Sequence, residues 1–290
     1  LRQGWDRARL HGPLRSEVLE PFLAGVLADD AGSSSDAFAR LLVRMFVLGR
    51  PGLPERGIGA VPAQLALTAT AAGAAVRLGH RVERLRRSDT GFELDVADAG
   101  PIRADTVVVA AGPSASAALL GVPTPATRGL QTWWFGTDAA PAASTMLSVD
   151  GRRNGPLVNT AVISHSAPSY APAGRHLVQA TALLSHGSGG ADEATVRRQL
   201  GEIWQTDAGT WSLLRRDDIA EALPAQSAPL RAHRAARLES GLFVAGDHRD
   251  TASVQGALVS GERVARAVLR DQAVRAGSSR ASSHPNDRAR

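Results

Sequence analysis

The chain has 290 residues, which is enough for one large domain or two ordinary domains with a buried core. It contains no cysteine, and this excludes disulfides, iron–sulfur clusters, thiol nucleophiles and cysteine zinc sites. All 33 basic residues are arginine, and against 28 acidic residues they leave a formal net charge of only +5. Such a mild, dispersed charge excludes nucleic acid as the expected partner.

Residues 1–50 are predicted to be helices joined by loops. The clearest helix follows three consecutive serines, with Asp36 as its expected N-cap. Its apolar residues form a stripe at helical spacing, for which two interpretations stay open: a face packed on the core, which is commoner, or the wall of an apolar substrate cavity. The stripe consists of Phe38, Leu41, Leu42, Met45 and Phe46.

The segment 51–121 changes from helix to strands. A Pro/Gly-rich entry precedes a predicted helix over 62–72, in which Pro62 takes the first position. Short strands are predicted after it, over 75–78, 81–86, 92–96 and 105–110. The last of these contains a continuous run of β-branched residues, as expected of a strand buried on both faces.

The segment 125–223 contains further strand patterns and one amphipathic helix, predicted over 192–204. The adjacent Trp133 and Trp134 must point to opposite faces if they lie in a strand. Two interpretations stay open: structural packing of the pair, which is commoner, or one ring in the core and the other towards a cavity or solvent. The predicted strands cover 131–136, 145–149, 157–163 and 176–184.

The most informative stretch is residues 241–269, with the sequence GLFVAGDHRDTASVQGALVSGERVARAVL. It indicates a short buried strand, a glycine turn at Gly246, the acidic Asp247, and a helix for which Ser253 is the expected N-cap. Small residues on the first helical turns leave room for close approach to the backbone. Free N–H groups and the positive end of the helix dipole favour an anionic or electron-rich ligand there.

This stretch resembles the C-terminal flavin-contacting motif of the FAD-dependent amine oxidase and phytoene desaturase superfamily. The resemblance implies that Gly246 and Asp247 lie at the ribityl phosphate of FAD, and that Ser253, Val254 and Ala257 lie beside the isoalloxazine. A helix dipole at that point would stabilise negative charge on the reduced flavin.

The block 51–121 resembles the same superfamily. By this resemblance, the backbone of Val82 contacts the adenine end of FAD, and Ala110, Ala111 and Gly112 lie by the phosphates or the adenosine. Taken without the resemblance, Val82 would be interpreted as a core valine.

The expected fold is α/β: an incomplete Rossmann-like FAD/NAD(P)-binding domain with an inserted α+β substrate domain that contains a mixed sheet. The helical segment 1–50 is assigned to the substrate domain, and the tail 271–290 is expected to be disordered because it is polar. The FAD domain is expected to comprise 51–121 and 224–270, with 122–223 as the main part of the substrate domain.

Several motifs are absent. The fingerprint G-x-G-x-x-G, which opens the chain in the superfamily, is missing: Gly57 and Gly59 have no third glycine and no preceding strand. We therefore expect these residues to be the C-terminal part of a longer protein. The absence of lysine removes the residue that many amine oxidases of the superfamily place near flavin N5, and this favours the desaturase-like branch. No metal-site spacing is present, so no metal is expected.

The sequence thus predicts an FAD-dependent oxidoreductase whose flavin accepts a hydride from a small apolar substrate, with an isoprenoid as the leading example. Asp247 is assigned to cofactor binding, and no catalytic acid or base is assigned. Two alternatives stay open: a non-catalytic fragment that keeps the fold and binds a partner or lipid, and a flavoprotein isomerase. The expected location is the cytoplasm, with peripheral membrane contact left open.

Overall fold

The computed structural model describes residues 1–184 and 189–282. Contacts divide the chain into two compact units, each made from two separate stretches: residues 1–76 with 127–230, and residues 77–126 with 231–290. Within the described ranges, no helix is long and apolar enough to cross a membrane.

Helices and strands are interleaved along the chain. The α-helices are α1 (Arg2–Arg7), α2 (Glu20–Leu27), α3 (Asp36–Leu48), α4 (Ala60–Ala71), α5 (Pro113–Leu120), α6 (Ile163–Ser166), α7 (Glu193–Trp204) and α8 (Val254–Ser282). The strands are β1 (Val82–Ser88), β2 (Gly91–Val96), β3 (Ala99–Ala104), β4 (Val107–Val109), β5 (Thr127–Thr137), β6 (Leu157–Val162), β7 (His176–Leu184), β8 (Ser212–Pro224), β9 (Arg237–Glu239) and β10 (Leu242–Val244).

The first unit is built on a four-stranded sheet in the order β6-β7-β5-β8. Every neighbouring pair in it is antiparallel, so the predicted mixed sheet is wrong in this detail. The physical reason lies in the connection through α7, which carries the chain across β5. Because of that crossover, β7 and β8 run in the same direction but are separated by the antiparallel β5, so no two neighbours are parallel.

Helix α7 covers one face of this sheet. Its side chains Val196 and Leu200 are fully buried against Trp133 and Phe135, in a cluster that forms the core of the unit. The helix has the predicted extent, and the carboxylate of Asp192 caps it by accepting a hydrogen bond from the backbone N–H of Thr195 at 2.9 Å.

Residues 28–35 are held by a buried carboxylate. Asp29 accepts hydrogen bonds from the backbone N–H of Ser34 at 2.6 Å and from the Ser34 hydroxyl at 2.7 Å, and Arg128 lies 3.3 Å away. Although burial alone would raise the pKa of Asp29, these donors and the Arg128 charge lower it below its ordinary value. The loop that leads into α3 is therefore stabilised by an ionised group.

The second unit contains two three-stranded sheets, β1-β2-β3 and β4-β10-β9. Strands β4 and β10 are parallel neighbours, with Val109 opposite Val244, although more than a hundred residues separate them in sequence. These two strands, one from each of the two segments assigned by sequence to the FAD domain, therefore pack in one unit. Side chains alternate along β10, so Phe243 packs on α8 while Leu242 packs on the β1-β2-β3 side.

Several local predictions differ from the structure. Ser35, not Asp36, is the N-cap of α3, and α4 begins at Ala60 rather than at Pro62. Val108, in the strand predicted to be buried on both faces, is 42% exposed. Residues 75–78 form no strand, and 145–149 contribute only an isolated bridge, in which Ser148 pairs with Thr160 on the outer edge of β6. The tail predicted to be disordered from 271 is helical as far as Ser282. Ion pairs of Asp271 with Arg237 and with Arg275 hold this extension of α8. Residues 283–290 lie outside the described ranges.

The contact units differ from the predicted domain boundaries at residues 51–76 and, by a few residues, at 122–126, which group with the second unit, and at 224–230, which group with the first. Residues 51–76, assigned to the FAD domain by sequence, group with the first unit. The phenol of Tyr170 donates to the backbone carbonyl of Pro54 at 2.8 Å, and the Ser169 hydroxyl donates to the carbonyl of Glu55 at 2.5 Å. These bonds fasten the start of the segment to a loop of the first unit. The functional assignment of the domains stays a prediction.

Candidate functional site

The predicted cofactor residues converge at one edge of the second unit. Because β4 and β10 are parallel, their carboxyl ends meet at the same edge of the sheet, and the backbone N–H of Ala245 donates to the carbonyl of Val109 at 2.9 Å. This brings the residues after β4 beside the residues after β10. The segments brought together are Ala110, Ala111 and Gly112 on one side, and Gly246 and Asp247 on the other.

Each of these strand ends leads towards a helix N-terminus. Gly112 is the N-cap of α5, and a β-carbon built on it would meet no atom within 4 Å, so the backbone there can be approached closely. After β10 a short 3₁₀ turn, Asp247–Arg249, comes before α8. Edges of this kind, at the carboxyl ends of parallel strands, are where open α/β sheets bind ligands.

Asp247 is a half-buried carboxylate with few partners. Burial raises its pKa above the ordinary value, and the backbone N–H groups of His248 and of Asp247 itself only partly oppose that effect. Among the hydrogen bonds of the described residues, no side chain donates to it. A carboxylate in this condition is suited to accept hydrogen bonds from the hydroxyls of a polyol.

The first turn of α8 offers both polar and apolar groups. The hydroxyl of Ser253 accepts from the backbone N–H of Gly256 at 2.9 Å, which confirms Ser253 as the N-cap. The N–H groups of Val254 and Gln255 belong to the first turn of α8, where backbone N–H groups have no intrahelical acceptor. Val254 is 56% exposed and Ala257 is also exposed, so the turn presents donors next to an apolar surface.

Val82 is not brought into this group. It begins β1, is half-buried, and pairs with Val96 in the antiparallel sheet of the same unit. Its predicted contact with the adenine end of FAD stays a prediction, as do the cofactor contacts of the residues at the sheet edge.

Two neighbours of Asp247 were not identified from the sequence. His248 is only 5% exposed, its Nδ1 atom has no hydrogen-bond partner, and burial together with the Arg249 and Arg234 charges lowers its pKa. Burial, with the charges of Arg234 and Arg263, also lowers the pKa of Arg249. The sequence signal was the polar run Asp-His-Arg-Asp, which begins three residues after the buried strand β10.

The apolar stripe of α3 is partly buried and partly exposed, so neither of its two interpretations holds for the whole stripe. Phe38 is buried, as a core residue would be, whereas Met45 and Phe46 are 53% and 43% exposed. A groove of about 410 Å³ does lie against α3, but it is lined by other residues of that helix, including Val43 and Val47.

The prediction that the two tryptophans point to opposite faces is confirmed. Trp133 is buried, while Trp134 is half-buried on the opposite face and donates from Nε1 to the carboxylate of Asp217 at 3.1 Å.

Across the described parts of the chain, no group of three or more His, Asp or Glu side chains is placed to hold a metal ion.

Comparisons with known proteins agree with this geometry. The family described as flavin containing amine oxidoreductase matches residues 4–269. No curated protein matches the chain.

Solved structures show the same fold at low sequence identity. An oxidoreductase from Methanosarcina mazei is 15% identical, with a TM-score of 0.69 over 91% of this chain and 67% of that one. The PF1083 protein from Pyrococcus furiosus is 14% identical, with a TM-score of 0.64 over 89% and 64%. A putative protoporphyrinogen oxidase from Exiguobacterium sp. 255-15 is 19% identical, with a TM-score of 0.59 over 76% and 51%. The chain thus spans about half to two thirds of these structures, and the predicted α/β fold class is confirmed.

Proposed function

We propose that this chain, which belongs to the family of flavin containing amine oxidoreductases, contributes the sheet-edge contacts to FAD in an oxidoreductase. The predicted flavin cofactor is confirmed at the level of the family. The flavin would accept a hydride from an apolar substrate, with an isoprenoid as the first class to examine. The absence of lysine favours this desaturase-like chemistry over amine oxidation.

The single observation that supports the proposal most is the pairing of β4 with β10. It places Gly112 and Asp247 at one edge, at the point where a dinucleotide would lie across the ends of two parallel strands. The residues present fit FAD. The carboxylate of Asp247, to which no described side chain donates, can accept hydrogen bonds from the ribityl hydroxyls. The N–H groups in the first turn of α8 can donate to the electron-rich edge of the ring system.

When bound, FAD would supply the redox chemistry, and the chain's own residues would bind and orient it. Asp247 would accept hydrogen bonds from hydroxyls. Val254 and Ala257 would exclude water beside the ring, and the dipole of α8 would favour negative charge near its N-terminus. A cytoplasmic location with peripheral membrane contact belongs to the same proposal.

The test is an FAD titration of the wild type and of Asp247→Ala, followed by flavin fluorescence. Losing a hydrogen-bonding charged acceptor is expected to weaken FAD binding about ten- to hundredfold. Asp138→Ala is the matched control, because Asp138 is an exposed carboxylate in the other unit that pairs only with Arg175 among the described contacts. The titration is run on the 290-residue chain and on the protein expressed from its complete gene, whatever its length. Equal dissociation constants for wild type and Asp247→Ala would remove Asp247 from the site.

A wild type that binds no FAD in either form would favour the non-catalytic alternative. An enzyme that converts its substrate without net oxidation under anaerobic conditions, with the flavin reduced beforehand, would favour the isomerase.

A further inference from the structure

The loop that carries Asp247 is fastened to α8 at two points. On the upstream side, the hydroxyl of Ser260 accepts a hydrogen bond from the backbone N–H of Gly246 at 3.0 Å, and Ser260 is completely buried. On the downstream side, Arg263 donates from Nη2 to the backbone carbonyl of Arg249 at 3.0 Å and from Nη1 to the carboxylate of Asp250. The loop is therefore tied on both sides of Asp247.

Both tethers come from one face of the helix. Ser260 and Arg263 are three residues apart and so are neighbours on the helix surface. Helix α8 also supplies the first turn proposed to contact the flavin. The loop and that turn are thus held to the same rigid element, and their relative position is fixed by it.

The downstream tether is an ion pair with further support. The carboxylate of Asp250 is 6% exposed and also accepts from the backbone N–H of Thr251 at 2.9 Å, while Nδ1 of His233 lies 3.4 Å from it. Burial alone would raise the pKa of Asp250, but the bonds from Arg263 and Thr251 lower it overall. Asp250 therefore stays ionised at neutral pH and keeps its bond to Arg263.

We propose that Ser260 and Arg263 are positioning residues that hold the Asp247 carboxylate where the hydroxyls of the flavin ribityl chain can reach it. This inference rests on the proposed function, because it assigns a task to two residues that themselves need touch no ligand. Asp247 has few bonds of its own, so its location depends on what holds the loop around it.

The affinity test compares Ser260→Ala and Arg263→Gln with the wild type by FAD titration. Ser260→Ala is expected to weaken FAD binding roughly fivefold to tenfold, as the loss of one positioning hydrogen bond would. Arg263→Gln, which removes a guanidinium with two bonds to the loop, is expected to weaken it at least as much. Arg263→Lys, which keeps the charge, should restore part of the affinity lost in Arg263→Gln. The matched control is Arg266→Gln on the same helix, because Arg266 makes an exposed pair with Glu262 and should leave the affinity unchanged.

A double-mutant cycle separates positioning from general destabilisation. If Ser260 acts through Asp247, then adding Ser260→Ala to Asp247→Ala should cost little further affinity. A role in stability alone predicts the same fold-loss in both backgrounds, and that result would overturn the proposal.

Hydrogen exchange of the FAD-free protein gives a readout that needs no cofactor. Ser260→Ala should speed exchange in the peptide covering residues 244–251 by about tenfold or more, while peptides from β7 stay unchanged. A wild type that binds no FAD would refute the proposed function, and it would refute the positioning role as well, because that role rests on the proposed function. A wild type that binds FAD, with Ser260→Ala binding it equally well, overturns the positioning role only.

Discussion

Gly246 occupies a backbone conformation that no other residue can adopt without strain. Its φ is 141° and its ψ is 166°, a region that is used essentially by glycine alone. A β-carbon added at this position would lie 2.6 Å from Nδ1 and Cε1 of His248, whose ring is buried. Gly246→Ala must therefore distort the backbone and displace a packed ring.

The expected loss of stability has two parts. Backbone strain of this kind costs about 1–3 kcal/mol, and overpacking a buried side chain costs about 1–3 kcal/mol more. At roughly 2–4 °C per kcal/mol, a combined loss of about 2 kcal/mol or more lowers the melting temperature by about 4 °C or more.

Thermal denaturation followed by circular dichroism measures this change. Gly261→Ala is the control, because Gly261 lies exposed in α8 with no atom within 4 Å of an added β-carbon, and alanine there should stabilise by about 0.5–1 kcal/mol. The double variant Gly246→Ala/His248→Ala should recover the packing part of the loss but keep the strain. A melting temperature of Gly246→Ala equal to that of the wild type would refute the reasoning.

Three further outcomes are expected. Burial raises the folded-state pKa of Asp247, so its ionised form destabilises the fold; Asp247→Asn should melt higher than wild type at pH 7, and the gain should vanish as the pH falls below the unfolded pKa. Phe135→Ala, at a fully buried position, should cost about 3–5 kcal/mol in urea denaturation, against less than about 0.5 kcal/mol for Val47→Ala at a 76% exposed position. The folded-state pKa of Asp29 is lowered, so its bonds to Ser34 should stabilise the fold above the unfolded pKa and cease to do so as the pH falls through the folded pKa. An Asp29→Ala variant whose free energy of unfolding changes in parallel with that of the wild type across pH 2–7 would contradict this.

Local patterns were sufficient for the elements around the proposed cofactor edge. A short apolar run, a glycine and a helical period predicted β10, the turn at Gly246 and α8, and a serine in the right place predicted the cap at Ser253. These features depend on interactions between residues close in sequence, and so the amino-acid order determines them. The opposite orientation of Trp133 and Trp134 followed in the same way from the period of a strand.

Tertiary structure decided what depends on partners that are distant in sequence. The sequence assigned β4 and β10 to the same domain, but it did not predict that they are parallel neighbours with Val109 opposite Val244. Patterns at 75–78 gave a false strand, because a strand exists only where another strand accepts its hydrogen bonds. In the part of α8 beyond residue 270, Asp271 forms an ion pair with Arg237, which is remote in sequence.

The tethers of the Asp247 loop were also invisible in the sequence. In the sequence, Ser260 is one of several small residues near the start of the helix, and Arg263 is one of 33 arginines. Their roles arise because folding places the second and third turns of α8 against the loop that follows β10, where one hydroxyl and one guanidinium reach backbone groups 14 residues earlier. The amino-acid order by itself thus determined which local elements form and which residue types follow the buried strand. Only the packed structure determined which side chains hold those residues in place, because such contacts join positions that no sequence period relates.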